Sequence, residues 1–202
     1  MPSRRDVLQA GAALPALSFA AAPLTSALAA VELAVLKLER FIFDVRFADA
    51  GAVAEQVEQR GVLLAPIADD LMTLWYDELD LAWRKAPMAL AGVTLEDALF
   101  VLETFALDRG MHVVYRGEHG LVENGRITHR FAGPAALIER LSALPNAWEG
   151  ELASALTECP LGSPQLARSE LTTDGAPLSL RDVPLYSWII APRAVVSSRV
   201  GA

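Results

Sequence analysis

Cysteine is almost missing from this chain: Cys159 is the only one in 202 residues. A lone thiol closes no internal disulfide, and it excludes a Cys-rich zinc or iron–sulfur centre. Standing before Pro160 at an expected helix end, Cys159 reads as a buried, inert thiol ahead of a nucleophile or an intermolecular bridge. Basic clusters are missing too. Lys and Arg total 17, scattered among 25 Asp and Glu, for a formal net charge of −8. Such a surface repels nucleic acid and anionic membranes alike, so neither is an expected partner. The motifs that announce chemistry are also missing. There is no G-x-G-x-x-G after the first strand, where Asp44-Val45-Arg46 stands instead, and no G-x-x-x-x-G-K-[ST] phosphate loop. G-x-S-x-G, H-E-x-x-H and C-x-x-C do not occur, so no cofactor is indicated by motif.

The start of the chain is more telling. Ser3-Arg4-Arg5-Asp6-Val7-Leu8-Gln9 precedes an alanine-dominated apolar run over 10–22, interrupted at Pro15 and closed by Pro23. A membrane span needs about 20 strongly apolar residues, and prolines and alanines make a poor one. Ala27-Leu28-Ala29 then supplies the small-x-small geometry that a signal peptidase pocket accepts. The segment resembles the twin-arginine signal pattern Ser/Thr-Arg-Arg-x-apolar-Leu-Lys. It matches at Ser3, Arg4, Arg5, Val7 and Leu8 and departs at Gln9, where Lys is usual. The resemblance covers the first 29 residues and implies recognition of Arg4 and Arg5 by the twin-arginine export machinery. It also implies cleavage by signal peptidase at Ala27-Leu28-Ala29 and a periplasmic destination. Removing residues 1–29 takes away one net positive charge and leaves 173 residues at −9. Residues 30–202 are then expected to form one globular domain with its own core and no stable membrane span.

The pattern within that domain predicts a small α/β (or α+β) fold. Arg40-Phe41-Ile42-Phe43-Asp44-Val45-Arg46-Phe47 reads as a strand that ends in charge, 48–60 as a helix stopped by Gly61, and 62–67 as a second strand. The second is a continuous apolar run of the kind buried on both faces, although Pro66 pushes it toward a strand end or a sheet edge. Together they make a βαβ unit. Residues 70–85 read as helical, with Leu71, Leu74, Trp75, Leu79 and Trp83 near helical spacing, and Pro87 ends them. Thr94, with Asp97 three residues on, suggests a helix N-cap for a helix running to Arg109-Gly110. Residues 111–116 return as a strand. Asn124-Gly125 predicts a hairpin joining 119–123 to 126–131, and 135–157 is helical with an interruption at Pro145. The Pro/Gly/Ser/Thr content of 160–184 reads as loop, and 185–191 as a final strand.

Ligands of open parallel sheets bind beyond the carboxyl ends of the strands. If the three leading strands lie side by side, Asp44 and Arg46, Asp69 and Asp70, and Arg116, Glu118 and His119 gather at one edge. That grouping of carboxylate, guanidinium and imidazole suits acid–base work on a polar substrate. The plainer reading, which we favour, is a strand-end ion pair of Asp44 with Arg46 or Arg116. His119 and His129 meet across the hairpin, with Glu118 or Glu123 nearby, in a loose two-histidine-plus-carboxylate metal pattern. Surface imidazoles on a cross-strand ladder are the preferred alternative. His112 and His119 differ by an odd number of positions and diverge unless a bulge intervenes. Trp75, Tyr76, Asp77, Glu78, Asp80, Trp83 and Arg84 crowd one helix. They read as a buried aromatic stripe, as a pocket wall beside Asp69 and Asp70, or as a docking patch.

Three functions follow in order of preference. The first is an exported, non-catalytic binding or accessory protein acting with a larger periplasmic enzyme. The second is a small enzyme using Asp44, Arg46, Asp69, Asp70 and His119, and the third a histidine-based metal carrier.

Overall fold

A computed structural model describes residues 37–68, 70–122, 125–158, 165–174 and 183–192. The expected signal segment with Arg4, Arg5, Ala27 and Ala29, and also Asp69, Glu123 and Cys159, lie outside the described residues. Strand β1 (Leu38–Asp44) leads into α1 (Ala48–Glu58) and β2 (Leu63–Ile67). These are the strand, helix and strand expected from their apolar spacing, and β1 and β2 pair in parallel. A helical segment follows as α2 (Leu71–Leu74), a π turn (Trp75–Leu79) and α3 (Asp80–Lys85). Next come β3 (Ala89–Thr94), α4 (Glu96–Leu107) and the long strands β4 (Met111–Val122) and β5 (Arg126–Pro134). Helices α5 (Ala135–Leu141) and α6 (Trp148–Glu158) flank the break at Pro145, and β6 (Leu166–Asp174) and β7 (Leu185–Pro192) complete the described chain.

All seven strands join one mixed sheet in the order β2-β1-β3-β7-β4-β5-β6. The β2-β1-β3 third is parallel, while β7 runs antiparallel to both β3 and β4, and β4-β5-β6 form an antiparallel meander. Helices cover the sheet from both sides. Residues of α1, α5 and α6 pack with Phe41, Tyr115, Ile127, Phe131 and Ile189 on one face. The α2–α3 segment and α4 pack with Ile42, Leu90, Trp188 and Ile190 on the other.

Several expectations are corrected. Strand β3 was not legible, and Thr94 is its last residue rather than a cap: its buried hydroxyl donates to the Leu95 carbonyl and accepts from Trp188 Nε1, each at 3.0 Å. Strand β2 is an edge strand with Leu63 60 % exposed, so its apolar run is not buried on both faces. The Pro66 signal, which favoured an edge, was the better guide. The stretch 160–184 contains strand β6, which pairs with β5 from Leu166 to Asp174. Residues 111–116 and 119–122 are one strand. A register shift between Val113 and Tyr115 marks a bulge, after which the facing changes. Met111 and Val113 pack against the α4 side and Tyr115 against the α6 side. That is the bulge His112 needed to share a face with His119, but seven residues of strand, roughly 23 Å, still separate them.

Candidate functional site

The carboxyl ends of β1, β2 and β3 do form a crevice, because α1 leaves β1 on one face of the sheet and α4 leaves β3 on the other. It measures about 230 Å³ and is lined by Asp44, Arg46, Leu71, Met72, Leu95 and Asp97, among others. Asp44 is 1 % exposed and spent on Arg46. Its Oδ1 accepts from Arg46 Nε at 2.9 Å and from the Arg46 backbone N–H at 3.0 Å, and its Oδ2 from Nη2 at 2.6 Å. The strand-end ion pair is therefore what these residues make. Asp70 caps α2, its Oδ2 accepting from the Thr73 hydroxyl and its Oδ1 from Thr73 N–H at 3.0 Å, and these hydrogen bonds, the hydroxyl's first, hold its carboxyl below the usual range.

His119 does not join them. Strand β4 runs in the same direction as β1, but β3 and β7 stand between, a displacement of about 14 Å across the sheet. His119 also lies in the core, fully buried. The three-strand acid–base cluster of Asp44, Arg46, Asp70 and His119 is not assembled. Trp75 and Tyr76 are not in the lining of the crevice that Leu71 and Met72 border: Trp75 is a core residue stacked on Phe105 at 4.5 Å, and Tyr76 is exposed on the helix exterior.

The two hairpin histidines do converge, and not on the surface. His119 and His129 are register partners, and His129 alternates in phase with Ile127 and Phe131 on the core-facing side of β5. Their Nδ1 atoms lie 2.7 Å apart. His119 Nε2 reaches Ser187 Oγ at 2.8 Å, His129 Nε2 reaches Thr173 Oγ1 at 2.9 Å, and Ser187 Oγ meets the Tyr115 hydroxyl at 2.9 Å. Trp148, at the start of α6, stacks on His119 at 4.7 Å and meets His129 edge-on at 5.1 Å.

Donor counting orients this buried chain. Among the described residues the Tyr115 hydroxyl has Ser187 as its one side-chain partner, so the phenol must donate or be left unsatisfied in the core. Ser187 then donates to His119 Nε2, His119 Nδ1–H to His129 Nδ1, and His129 Nε2–H to Thr173. Both imidazoles are neutral, as opposite tautomers. Burial lowers His119 well below its ordinary value, with His129 adding repulsion, and burial takes His129 down to about 4. Burial likewise pushes the Tyr115 phenol up. All four imidazole nitrogens are engaged. Glu118, the adjacent residue on β4, points to the opposite face, where it bonds Arg130 at 3.3 Å. Among the described residues no group of three or more metal-ligating side chains gathers, so the proposed set of His119, His129 and Glu118 is not formed.

The opposite face of the same hairpin is open. Side chains of β4, β5, β6 and β7 line a depression of about 390 Å³ that includes Arg116, Glu118, Arg130, Ala132, Arg168, Glu170 and Tyr186. Register places Tyr186, Glu118, Arg130 and Glu170 in one row and Arg116, Ala132 and Arg168 in the next. Arg130 bridges Glu118 and Glu170, the latter at 2.9 Å, and Arg116 bonds Glu103 of α4 at 2.6 Å. Burial, then the charges of Glu118 and Glu96, raises the Tyr186 phenol, so its hydroxyl remains a donor. Of this set, sequence reasoning named Arg116 as a ligand contact and Glu118 in another role. Arg168 falls in a stretch whose Pro, Gly, Ser and Thr content reads as loop, although the alternation of Arg168, Glu170 and Thr172 is a usable signal, whereas Arg130 and Tyr186 lie on expected strands and face a groove that only the strand order creates. Comparison of the chain with protein-family models, with curated proteins and with solved structures returns no match.

Proposed function

We propose that this protein is an exported, non-catalytic binding protein that works as an accessory to a larger periplasmic enzyme and recognises through the open face of β4, β5 and β6. The observation that carries the reading is the uneven covering of the sheet. Helices α5 and α6 close one side of these strands, whereas the other side presents a groove of charged and aromatic side chains. Residues Glu96, Phe100, Glu103 and Leu107 recur at helical spacing along α4, and Glu103 bonds Arg116 on the floor of that groove. The stripe is tied to the groove through Glu103, and it leaves Phe100 67 % and Leu107 54 % exposed. Exposed aromatics beside arginines are the composition of protein interfaces. Export rests on the arginine pair and the alanine-rich run behind it.

Two measurements test this. Replacing Arg4 and Arg5 together by Lys should strand the protein in the cytoplasm, and undiminished periplasmic protein would remove the export half. Native isolation from the periplasm should recover a larger enzyme in stoichiometric amount, lost on combining Phe100→Ser with Leu107→Ser. Recovery of the protein without any companion, or retention of the companion by that variant, would overturn the accessory half.

A further inference from the structure

Three arginines surround one alanine methyl on the open face. Arg116 of β4 and Arg168 of β6 flank Ala132 in one cross-strand row. Arg130 stands two residues before Ala132 on the same strand, and so on the same side. The outer two rise from backbone positions about 10 Å apart, with only a methyl between them. The depression they border, about 390 Å³, has the size of a small-molecule site.

Charge selects the ligand. Arg116 is held by Glu103 through Nη2 alone, and Arg130 is shared between Glu118 and Glu170. Arg168 has no ion pair among the described residues. The lining thus holds one guanidinium free to meet an anion and a second with an unused edge. Glu118 and Glu170, in the adjacent row, repel a second negative charge. A planar guanidinium pairs best with a carboxylate in a two-point contact. The arginine stems, the Ala132 methyl and the Tyr186 ring offer an apolar bed beside it.

We propose that the depression over Ala132 binds a small organic monocarboxylate, its carboxylate on Arg168 and the free edge of Arg116, its apolar body against Ala132 and Tyr186. This rests on reading the open face as the recognition surface. The test is titration of the full chain with benzoate, with benzamide as its uncharged counterpart and succinate as a dianion, followed by calorimetry and amide-resolved NMR. Benzoate should saturate, with shifts centred on the strands around Ala132, and benzamide and succinate should each bind about tenfold more weakly or worse. Arg168→Gln, at an exposed position, should weaken benzoate about tenfold without altering thermal stability. Ala132→Glu should abolish binding by placing a carboxylate in the site; if it unfolds the chain, Arg168→Gln alone decides. Absence of saturation, equal binding of benzamide, or an unchanged Arg168→Gln would overturn the proposal. Lost carboxylate binding with the companion enzyme still bound sinks only this inference. Retained carboxylate binding with no companion sinks only the accessory reading.

Discussion

At the residue scale the buried chain from Tyr115 to Thr173 costs the protein something in acid. His129 titrates at about 4 in the folded state against an ordinary value of 6.5, and His119 is lowered as well. The unfolded chain therefore takes up protons that the folded chain refuses once pH drops below about 6.5. Stability present above that pH is lost as it falls toward 4, by on the order of 3 kcal/mol for His129. Urea unfolding between pH 7.5 and 4.5 should show this decline, and a flat profile would show that the imidazoles are not sealed. Close fit guards the same chain. A Cβ at Gly117 would run into Ser187 Oγ and the Tyr115 hydroxyl, so only glycine leaves room for their hydrogen bond. These roles were only partly legible. The phase of His129 with Ile127 and Phe131 is written in the sequence. That Trp148, 29 residues after His119, would seal the pair is not.

At the scale of elements, the helical segment from Leu71 to Lys85 shows local geometry answering to packing. Trp75, Leu79 and Trp83 are spaced by four, which drifts around an ordinary α-helix by about 40° per step. A π turn, at roughly 4.4 residues per turn, drifts the other way. With the π turn over Trp75–Leu79 and α-helix after it, the two drifts nearly cancel, and the indoles of Trp75 and Trp83 meet edge-on at 5.8 Å. Elsewhere two helices meet unfavourably. Asp49 in the first turn of α1 is raised from 3.8 to about 6, first by burial and then by Glu149 in the first turn of α6. A carboxyl whose folded value is raised gives stability that is full below its unfolded value and is lost as pH rises through about 6. Asp49→Asn should therefore raise the melting temperature at pH 7.5 by about 2–4 °C, the half-exposed position keeping the gain small. The gain should fade toward pH 4, as calorimetry at the two pH values would reveal. This term opposes the histidine effect between pH 4 and 6, so the acid decline of the Asp49→Asn protein should be the steeper.

At the scale of the whole sheet, a parallel βαβ-wound third is joined to an antiparallel meander through β7. Strands β1, β3, β7, β4 and β5 are paired on both sides, whereas β2 and β6 are the edges. Native-state hydrogen exchange should therefore be slowest in β3 and β7 and fastest in β2 and β6; fast exchange in β7 would contradict the pairing order. The same arrangement explains which strands could be read from the sequence. Strand β3, Ala89–Thr94, carries two alanines and Gly92 where a strand signal needs β-branched residues. Gly92 is there because a Cβ at that position would run into both the Trp188 indole and the Ile42 carbonyl. That reason sits in two other strands.

Periodicity together with turn and breaker residues determined the βαβ start, the helix over 70–85, the break near Pro145, the hairpin and the last strand, because each depends on neighbours a few residues away. Tertiary structure decided the rest. Inserting β3 and β7 between β1 and β4 parted Asp44 from His119, and covering one face of the hairpin while leaving the other open turned two histidines into core and three arginines into a surface. Strand order and layer coverage are long-range choices, set by which apolar faces must be buried together, and local spacing carries no record of them.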